Sequence, residues 1–435
     1  MKVLFISKEL IAADLAYQLK KEGCDVKLYI KGKGDKNCFD GMVRKTDNWK
    51  KELDWVGKKG LIIFDDVGYG KAQDDLRKKG YLVIGGSGDG DRMELDREYG
   101  QKIMKLCGID INDDLETKSY SIGYAINFVK KHKGRWVLKQ NEHNNALTYV
   151  SGTRDGSDLV NILKNYKNNF GSSNQISLQK RVLGIEIAIG RFFNGKDWTG
   201  PLIFNQEHKH FCNDDIGPIG GETGTLMWFK ENENNKLFQK TLAKLKPQLQ
   251  KSDYKGYVDI NCIIASKDKV YPLEITSRFG TSTIETQSEI QRSPWIDFLL
   301  SVAKGEDYPL HYNKGYGINV ALTVPPFPYK TSDKKLNQKG VNIFFEKELS
   351  KEEFSHIHFE EVLIKREKNK NNYYIAGDTG YILYITGSGR NVFESRKKVY
   401  NIINKIIIPK MFYRTDIGLR FVRREYKLLK KWGWI

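Results

Sequence analysis

The sequence predicts a multidomain protein of the α/β and α+β classes, with an open α/β domain first and a β-rich region last. Three patterns carry this. Strand-like runs alternate with helical segments as far as residue 110. A polar-turned pair of strands lies between Tyr257 and Gln287. Beyond Gly315 the chain is mostly strand. With 435 residues and 40% hydrophobic content, it can bury several cores rather than one.

In order, KVLFI (Lys2–Ile6), the helical ELIAADLAYQLKKEG and DVKLYI form a β-α-β opening. GLIIFDD (Gly60–Asp66) is a buried strand ending in two acids, and a helix and the strand YLVIG (Tyr81–Gly85) follow it. The helix Glu94–Ile109 closes a first domain, 1–110. A helix and the strand RWVLK occupy Ile122–Gln140, and a strand pair occupies Gln175–Gly195 with its turn at Gly195–Lys196. Together they define a small subdomain, 111–195. A third region, 196–305, holds a long polar loop at Asn205–Gly224, a helix and the Tyr257–Gln287 hairpin. Loops of that length in compact domains are usually functional. Strands GINVALTV, VNIFFE, YYIAG and YILYITG, then a helix and MFYRTDIGLR, make a β-rich region, 306–419. The last stretch, 420–435, is basic and aromatic (RFVRREYKLLKKWGWI). It reads first as a helix docked on the body, with nucleic-acid contact as the alternative.

Composition narrows the function classes. A net charge of +18 and a pI near 9.3 favour nucleotides, phosphorylated substrates or nucleic acid as partners, unless they simply reflect a lysine-rich surface. No apolar run approaches the roughly 18 residues of a membrane span, so no membrane partner is expected. Five scattered cysteines without a CxxC pair fit a reducing cytoplasm and argue against structural zinc.

The hairpin carries the chemistry. Glu274 and Thr276 share one strand face, as do Asp259 and Asn261 on the partner strand. These oxygens could serve a hard cation, and Arg278 just beyond could meet an anionic group. That is the layout of a magnesium–nucleotide site. The plain alternative is a solvent-facing sheet edge with a chance acid.

Five pieces then fall in a recognisable order: WVLK (Trp136–Lys139), LGIE (Leu183–Glu186), EHKH…DIGPIGGETG, LEITSRFG and YRTDIG (Tyr413–Gly418). In this order the chain resembles the ATP-grasp superfamily and, within it, the phosphoribosylamine–glycine ligase family. The resemblance implies an open α/β pre-ATP-grasp domain, an ATP-grasp core with a small lid subdomain, and a C-terminal β-rich domain. It implies ATP and Mg²⁺ (or Mn²⁺) as cofactors. It also implies amide formation between small-molecule carboxylate and amine substrates through an acyl phosphate. Carried over by position, Lys139 would reach the ATP phosphates and Arg97 the triphosphate. Glu186 would bind the ribose, with Gln179 and Val182 at the adenine hinge. Glu274, Thr276 and Asn261 (or Asp259) would hold the metal. Arg278 would neutralise the acyl phosphate or substrate carboxylate. Glu207, His208 or His210 could take the amine proton. Without that context, Lys139 is a snorkelling lysine and Arg97 an exposed helix residue.

Four departures matter: those in the amine-substrate pocket point to a changed substrate, and those in the lid bear on catalysis itself. The family's glycine-rich first loop is Ser7-Lys8-Glu9-Leu10-Ile11-Ala12 here, without a glycine. The segment after the next strand is Asp65-Asp66-Val67-Gly68-Tyr69, which adds negative charge where a phosphate is expected. The lid loop is QNEHNNALTYV, and Thr276 replaces an asparagine. The expected activity is therefore a ligase joining glycine or another amino acid to an amine other than phosphoribosylamine. A catalytically weakened nucleotide-binding scaffold, or a ligase acting on a nucleic acid or modified nucleotide, are the alternatives.

Overall fold

The computed structural model describes residues 1–111, 118–139, 148–329, 333–346, 349–368 and 370–435. The β-α-β opening builds a parallel sheet from β1 (Lys2–Ser7), β2 (Asp25–Ile30), β3 (Arg44–Lys45), β4 (Leu61–Phe64) and β5 (Leu82–Ile84), ordered β3-β2-β1-β4-β5. Val3 and Phe5 bury into one core while Leu4 and Ile6 bury into another, so β1 is apolar on both faces. Strand order reverses between β1 and β4. The crevice beyond their carboxyl ends, where such sheets take ligands, receives Ser7, Asp65 and Asp66.

A small sheet follows, ordered β6-β9-β7-β8, from β6 (Lys118–Ser121), β7 (Trp136–Lys139), β8 (Tyr149–Val150) and β9 (Gln175–Lys180). It packs on helices Ile122–Lys131 and Ser157–Phe170 around Ile122, Val129, Leu138, Leu159, Leu163 and Leu178. This core is separate from the main one. A subdomain with its own core can tilt as a unit against the body it is joined to.

The body is an eight-stranded antiparallel sheet ordered β14-β13-β10-β11-β12-β15-β20-β17. Its strands are β10 (Ile185–Asn194), β11 (Trp198–Cys212), β12 (Ile216–Lys230), β13 (Lys255–Ile264), β14 (Val270–Thr276), β15 (Tyr316–Thr323), β17 (Ile357–Phe359) and β20 (Tyr381–Gly389). The interleaved β16 (Asn342–Phe345), β18 (Val362–Glu367), β19 (Lys370–Ile375) and β21 (Ile406–Ile407) form a separate four-stranded sheet.

Three expectations change here. The strands of Gln175–Gly195 are not partners: β9 belongs to the small sheet and β10 to the body. The subdomain therefore ends in the link 181–184 rather than at 195, and Gly195–Lys196 turns β10 into β11. The boundary at 306 also cuts through one sheet, because β15, β20 and β17 extend the body's β-structure. Finally, Asn205–Gly224 is no loop. It is the end of β11 and the start of β12, joined at Asn213–Asp215. Polar side chains there have partners on both sheet faces, so the apolar alternation that marks a strand is missing. Gly217 and Gly221, both at positive φ, lie where the ladder slips register.

The basic tail docks. Its helical turn Phe421–Glu425 and helix Tyr426–Trp432 bury Phe421, Leu429 and Trp434. Trp434 Nε1 donates to Ser266 O at 2.9 Å, and Asn235 Nδ2 donates to Trp434 O at 3.1 Å. Among the described residues, no helix is long and apolar enough to cross a membrane. Trp434→Ala should cost about 3–5 kcal/mol, the usual scale for emptying a buried tryptophan site. The readout is a lower urea midpoint, and an unshifted midpoint would mean that the tail contributes no core.

Candidate active site

The hairpin β13–β14 sets Asp259 opposite Thr276 and Asn261 opposite Glu274, with a register slip just after Asn261. Ala265 N donates to Lys269 O across its turn at 3.0 Å. On the other side of β13, β10 brings Glu186 opposite Ile263. One strand further, alternation along β11 directs Glu207 and Lys209 to the same side.

Charges from three bodies meet at Glu274. Arg97, at the start of helix Arg97–Leu106, donates from Nη1 to Glu274 Oε2 at 2.9 Å. Burial alone would raise the Glu274 carboxyl, but Arg97, Lys139 and Lys209 outweigh it and hold it well below the usual range. Lys139, projecting from the small subdomain, is pushed down to about 8 by burial, against the pull of Glu274. Lys209 bridges Glu186 Oε1 at 3.2 Å and Glu207 Oε2 at 3.0 Å. Burial opposes its charge, but Glu207, Glu186, Glu274 and Glu222 hold its ammonium well above the ordinary lysine value. The result is a pocket of paired but partly exposed charges, with the Glu274 side chain 38% exposed.

Two neighbouring acids behave differently. Asp259 is pushed up to about 8 by burial and by Glu207, and the Thr276 hydroxyl donates to it. Its Oδ1 is buried without a partner. Glu222 is pushed up to about 7, again by burial and Glu207. Beyond the hairpin, Arg278 Nε meets Glu94 Oε1 at 2.9 Å and Asp66 Oδ1 at 3.5 Å. Arg278 thus ties the hairpin to the crevice of the first domain.

The structure gathers Lys139, Arg97, Glu186 and Glu274 in one place, with Glu207 joined through Lys209. Asn261, Thr276 and Asp259 share the hairpin with Glu274, and Arg278 lies at the first-domain side. Gln179 is buried on β9, and Val182 is half-buried in the link between small sheet and body. His208 goes elsewhere, which corrects its expected role as proton acceptor. It points to the opposite side from Glu207, where Gly418 N lies 3.5 Å from Nε2. Burial, Arg420 and Arg414 push its imidazole down to about 3, so it stays neutral. His210 is near the end of β11, where that strand pairs with β12, its Nδ1 2.9 Å from Gly217 O. The lid residues QNEHNNAL, 140–147, lie outside the described residues.

Sequence reasoning missed Lys209, Glu222 and Glu94. The first two were hidden because their strands looked like a loop. Glu94 reaches the hairpin across 183 residues of chain, accepting from Ser277 N at 2.7 Å, and no local pattern marks that.

Among the described residues, no three His, Cys, Asp or Glu side chains converge as a closed metal cage. Magnesium that also binds phosphates needs only one or two protein carboxylates. Glu274, Asn261 opposite it and the orphaned Asp259 Oδ1 fit that demand.

Residues 96–284 match the family described as phosphoribosylglycinamide synthetase, ATP-grasp (A) domain. Over 365 residues the chain is 25% identical to a phosphoribosylamine–glycine ligase from Helicobacter pylori, covering 81% of this chain and 80% of that one. The crystal structure of a Thermotoga maritima phosphoribosylamine–glycine ligase superposes with a TM-score of 0.69 at 18% identity, covering 96% of this chain and 100% of that one. A biotin carboxylase from Campylobacter jejuni, solved as a β,γ-ATP complex, gives 0.62 at 11% identity, covering 100% and 97%. Residues 96–284 thus match an ATP-grasp domain, and the whole chain has the architecture of the ATP-grasp fold. The chain is distantly related to the phosphoribosylamine–glycine ligases.

Glu274→Gln removes the strongest attraction holding the Lys139 ammonium. Its pKa should then fall below that of the wild-type lysine, as read from the pH dependence of ¹³C-methyl-lysine shifts. An unchanged titration would separate Lys139 from the cluster.

Proposed function

We propose that this chain is an ATP-dependent carboxylate–amine ligase that joins an amino acid to an amine other than phosphoribosylamine. The observation that carries the reading is the convergence of Arg97, Lys139 and Lys209 on Glu274 at the seam of three bodies. Bringing a triphosphate to a carboxylate opposes two anions, and preorganised cations offset that repulsion. Glu186, held by Lys209, can accept two hydrogen bonds from a ribose, and the link beside buried Gln179 and half-buried Val182 can receive the base. The β,γ-ATP complex of the structurally similar biotin carboxylase supports nucleotide use in this fold.

In the reaction, a carboxylate oxygen attacks the γ-phosphorus and the bond to the β-phosphate oxygen breaks, giving an acyl phosphate and ADP. The amine nitrogen then bonds to the acyl carbon, inorganic phosphate leaves with the electron pair, and the nitrogen loses a proton. Glu274 and Asn261 would hold Mg²⁺, which when bound supplies charge neutralisation at the phosphates. Arg278 faces the transferred anionic group. Glu222 bears on both Arg278 and Lys209 and is pushed up to about 7, which suits it to accept the amine proton. The lid's separate core lets it close over a water-sensitive intermediate.

Glu274→Gln should lower Mg²⁺-dependent ADP release by about 10²-fold or more, the scale of losing one preorganised electrostatic group. Full turnover in that variant would remove Glu274 from the reaction. A second expectation concerns pH. Free Lys139 is half neutral near pH 8, and a bound triphosphate favours its ammonium. ATP affinity should therefore fall as pH rises through 8, and binding at pH 8.5 should take up protons that binding at pH 6.5 does not. Calorimetry in two buffers of different ionisation heat reads this directly, and no uptake at pH 8.5 would place Lys139 away from the phosphates.

A further inference from the structure

The place where the first-domain crevice meets the C-terminal strands is built from acids. Asp65, fully buried, accepts from Ser7 Oγ at 2.6 Å, Ala12 N at 3.2 Å and Lys8 N at 3.3 Å. Backbone amides at the end of β1, in the position that receives anions in such sheets, are thus taken by an internal carboxylate. The non-glycine Leu10, at φ 63°, shapes the loop around it.

Opposite Asp65 stand groups with nothing to bind. Glu285, on helix Thr283–Ile290, is 1% exposed and neither carboxyl oxygen has a partner. Glu360, between β17 and β18, is 6% exposed with Oε2 unpartnered, and the Tyr384 hydroxyl on β20 is likewise buried and unpartnered. Their neighbours do not compensate them. The charges that bear on Glu285 are Asp14 and Asp65, and those on Glu360 are Glu285, Glu361, Asp65 and Asp35. Two of these acids are already engaged. Asp14 meets His358 Nδ1 at 2.8 Å, and Glu361 accepts from Thr379 N and Gly380 N at 2.9 Å. Glu285, Glu360 and Tyr384 remain. Burying such groups unpaired is costly, so a native arrangement of this kind implies a partner from outside.

The missing partner is cationic, since carboxyls and a phenol face it. Among the described residues no three His, Cys, Asp or Glu side chains are grouped so as to hold a metal ion. Two carboxyls and a phenol instead suit an organic ammonium, whose N–H groups need acceptors. Tyr384 is also close enough to Glu222 to feel its charge, which links this place to Arg278 and the acyl-transfer centre.

Resting on the ligase reading above, we propose that the amine substrate is a phosphate-free di- or polyamine. One ammonium is received by Glu285, Glu360 and Tyr384, and Asp65 stands where a phosphate would otherwise bind. The second nitrogen, deprotonated, bonds to the acyl carbon as the C–O bond to phosphate breaks and inorganic phosphate leaves. The nitrogen's proton passes to Glu222. The first ammonium keeps its charge throughout.

The test is calorimetric titration of the full chain, in separate runs, with spermidine, 1,4-diaminobutane, n-butylamine, O-phosphoethanolamine, glycine and ATP·Mg²⁺. The net charge of +18 disfavours non-specific uptake of a polycation, so binding reports a site. Spermidine and the diamine should bind at least tenfold more tightly than n-butylamine, and O-phosphoethanolamine should not bind. Glu285→Gln and Glu360→Gln should each weaken spermidine tenfold or more; circular dichroism checks both folds, so one suffices if the other misfolds. The proposal is overturned if O-phosphoethanolamine binds as well as the diamine, or if spermidine is unaffected in a folded variant. It is also overturned if Glu285→Gln weakens only glycine, for then the acid serves an amino acid. If ATP binds and no diamine does, the proposal fails and the ligase reading stands. If ATP does not bind, the ligase reading fails as well.

Discussion

The Glu274 carboxylate and the cations around it are the constraint on which the rest of the molecule turns. Arg97 arrives from a helix of the first domain, Lys139 from the small subdomain and Lys209 from the body sheet. Each would be costly to desolvate alone, and together they stabilise one carboxylate. The interaction also explains the architecture: a body sheet carries Glu274 rigidly, and a separately cored subdomain carries a lysine that burial has pushed towards neutrality.

Arg278 divides this basic region from an acidic one. It meets Glu94 and Asp66, and past it lie Asp65, Glu285 and Glu360. Electrostatically the chain thus sets a region rich in cations beside a region of buried acids. The contrast is sharper for being set in a chain of net charge +18. Surface lysines supply that total, yet the buried crevice runs against it.

Much of this was legible in the sequence where side-chain period and motif agreed. The hairpin at Asp259–Thr276 was readable because apolar alternation places its oxygens on one face, and the register shows the same pairs opposed. The domain order was likewise readable from the order of five short motifs. Asn205–Gly224 was not, because Glu207, Lys209 and Glu222 face one set of charges while His208 faces another, leaving no apolar side to mark a strand. The link at 181–184 was missed for a related reason. β9 and β10 are adjacent in sequence but hydrogen-bonded into different sheets, and pairing is a long-range property. The acidic crevice was half visible: Asp65-Asp66 stood out, but Glu285 and Glu360 meet them only through the fold.

The central claim, that the Glu274 cluster serves phosphoryl transfer from ATP to a carboxylate, is tested most directly by positional isotope exchange. ATP carrying ¹⁸O in its β,γ-bridge is incubated with enzyme, Mg²⁺ and each common amino acid in turn, with no amine present. Reversible acyl-phosphate formation predicts that the label moves from the bridge to the non-bridging β-oxygens with at least one amino acid. ATP that binds but keeps its label in the bridge throughout the set would contradict the account.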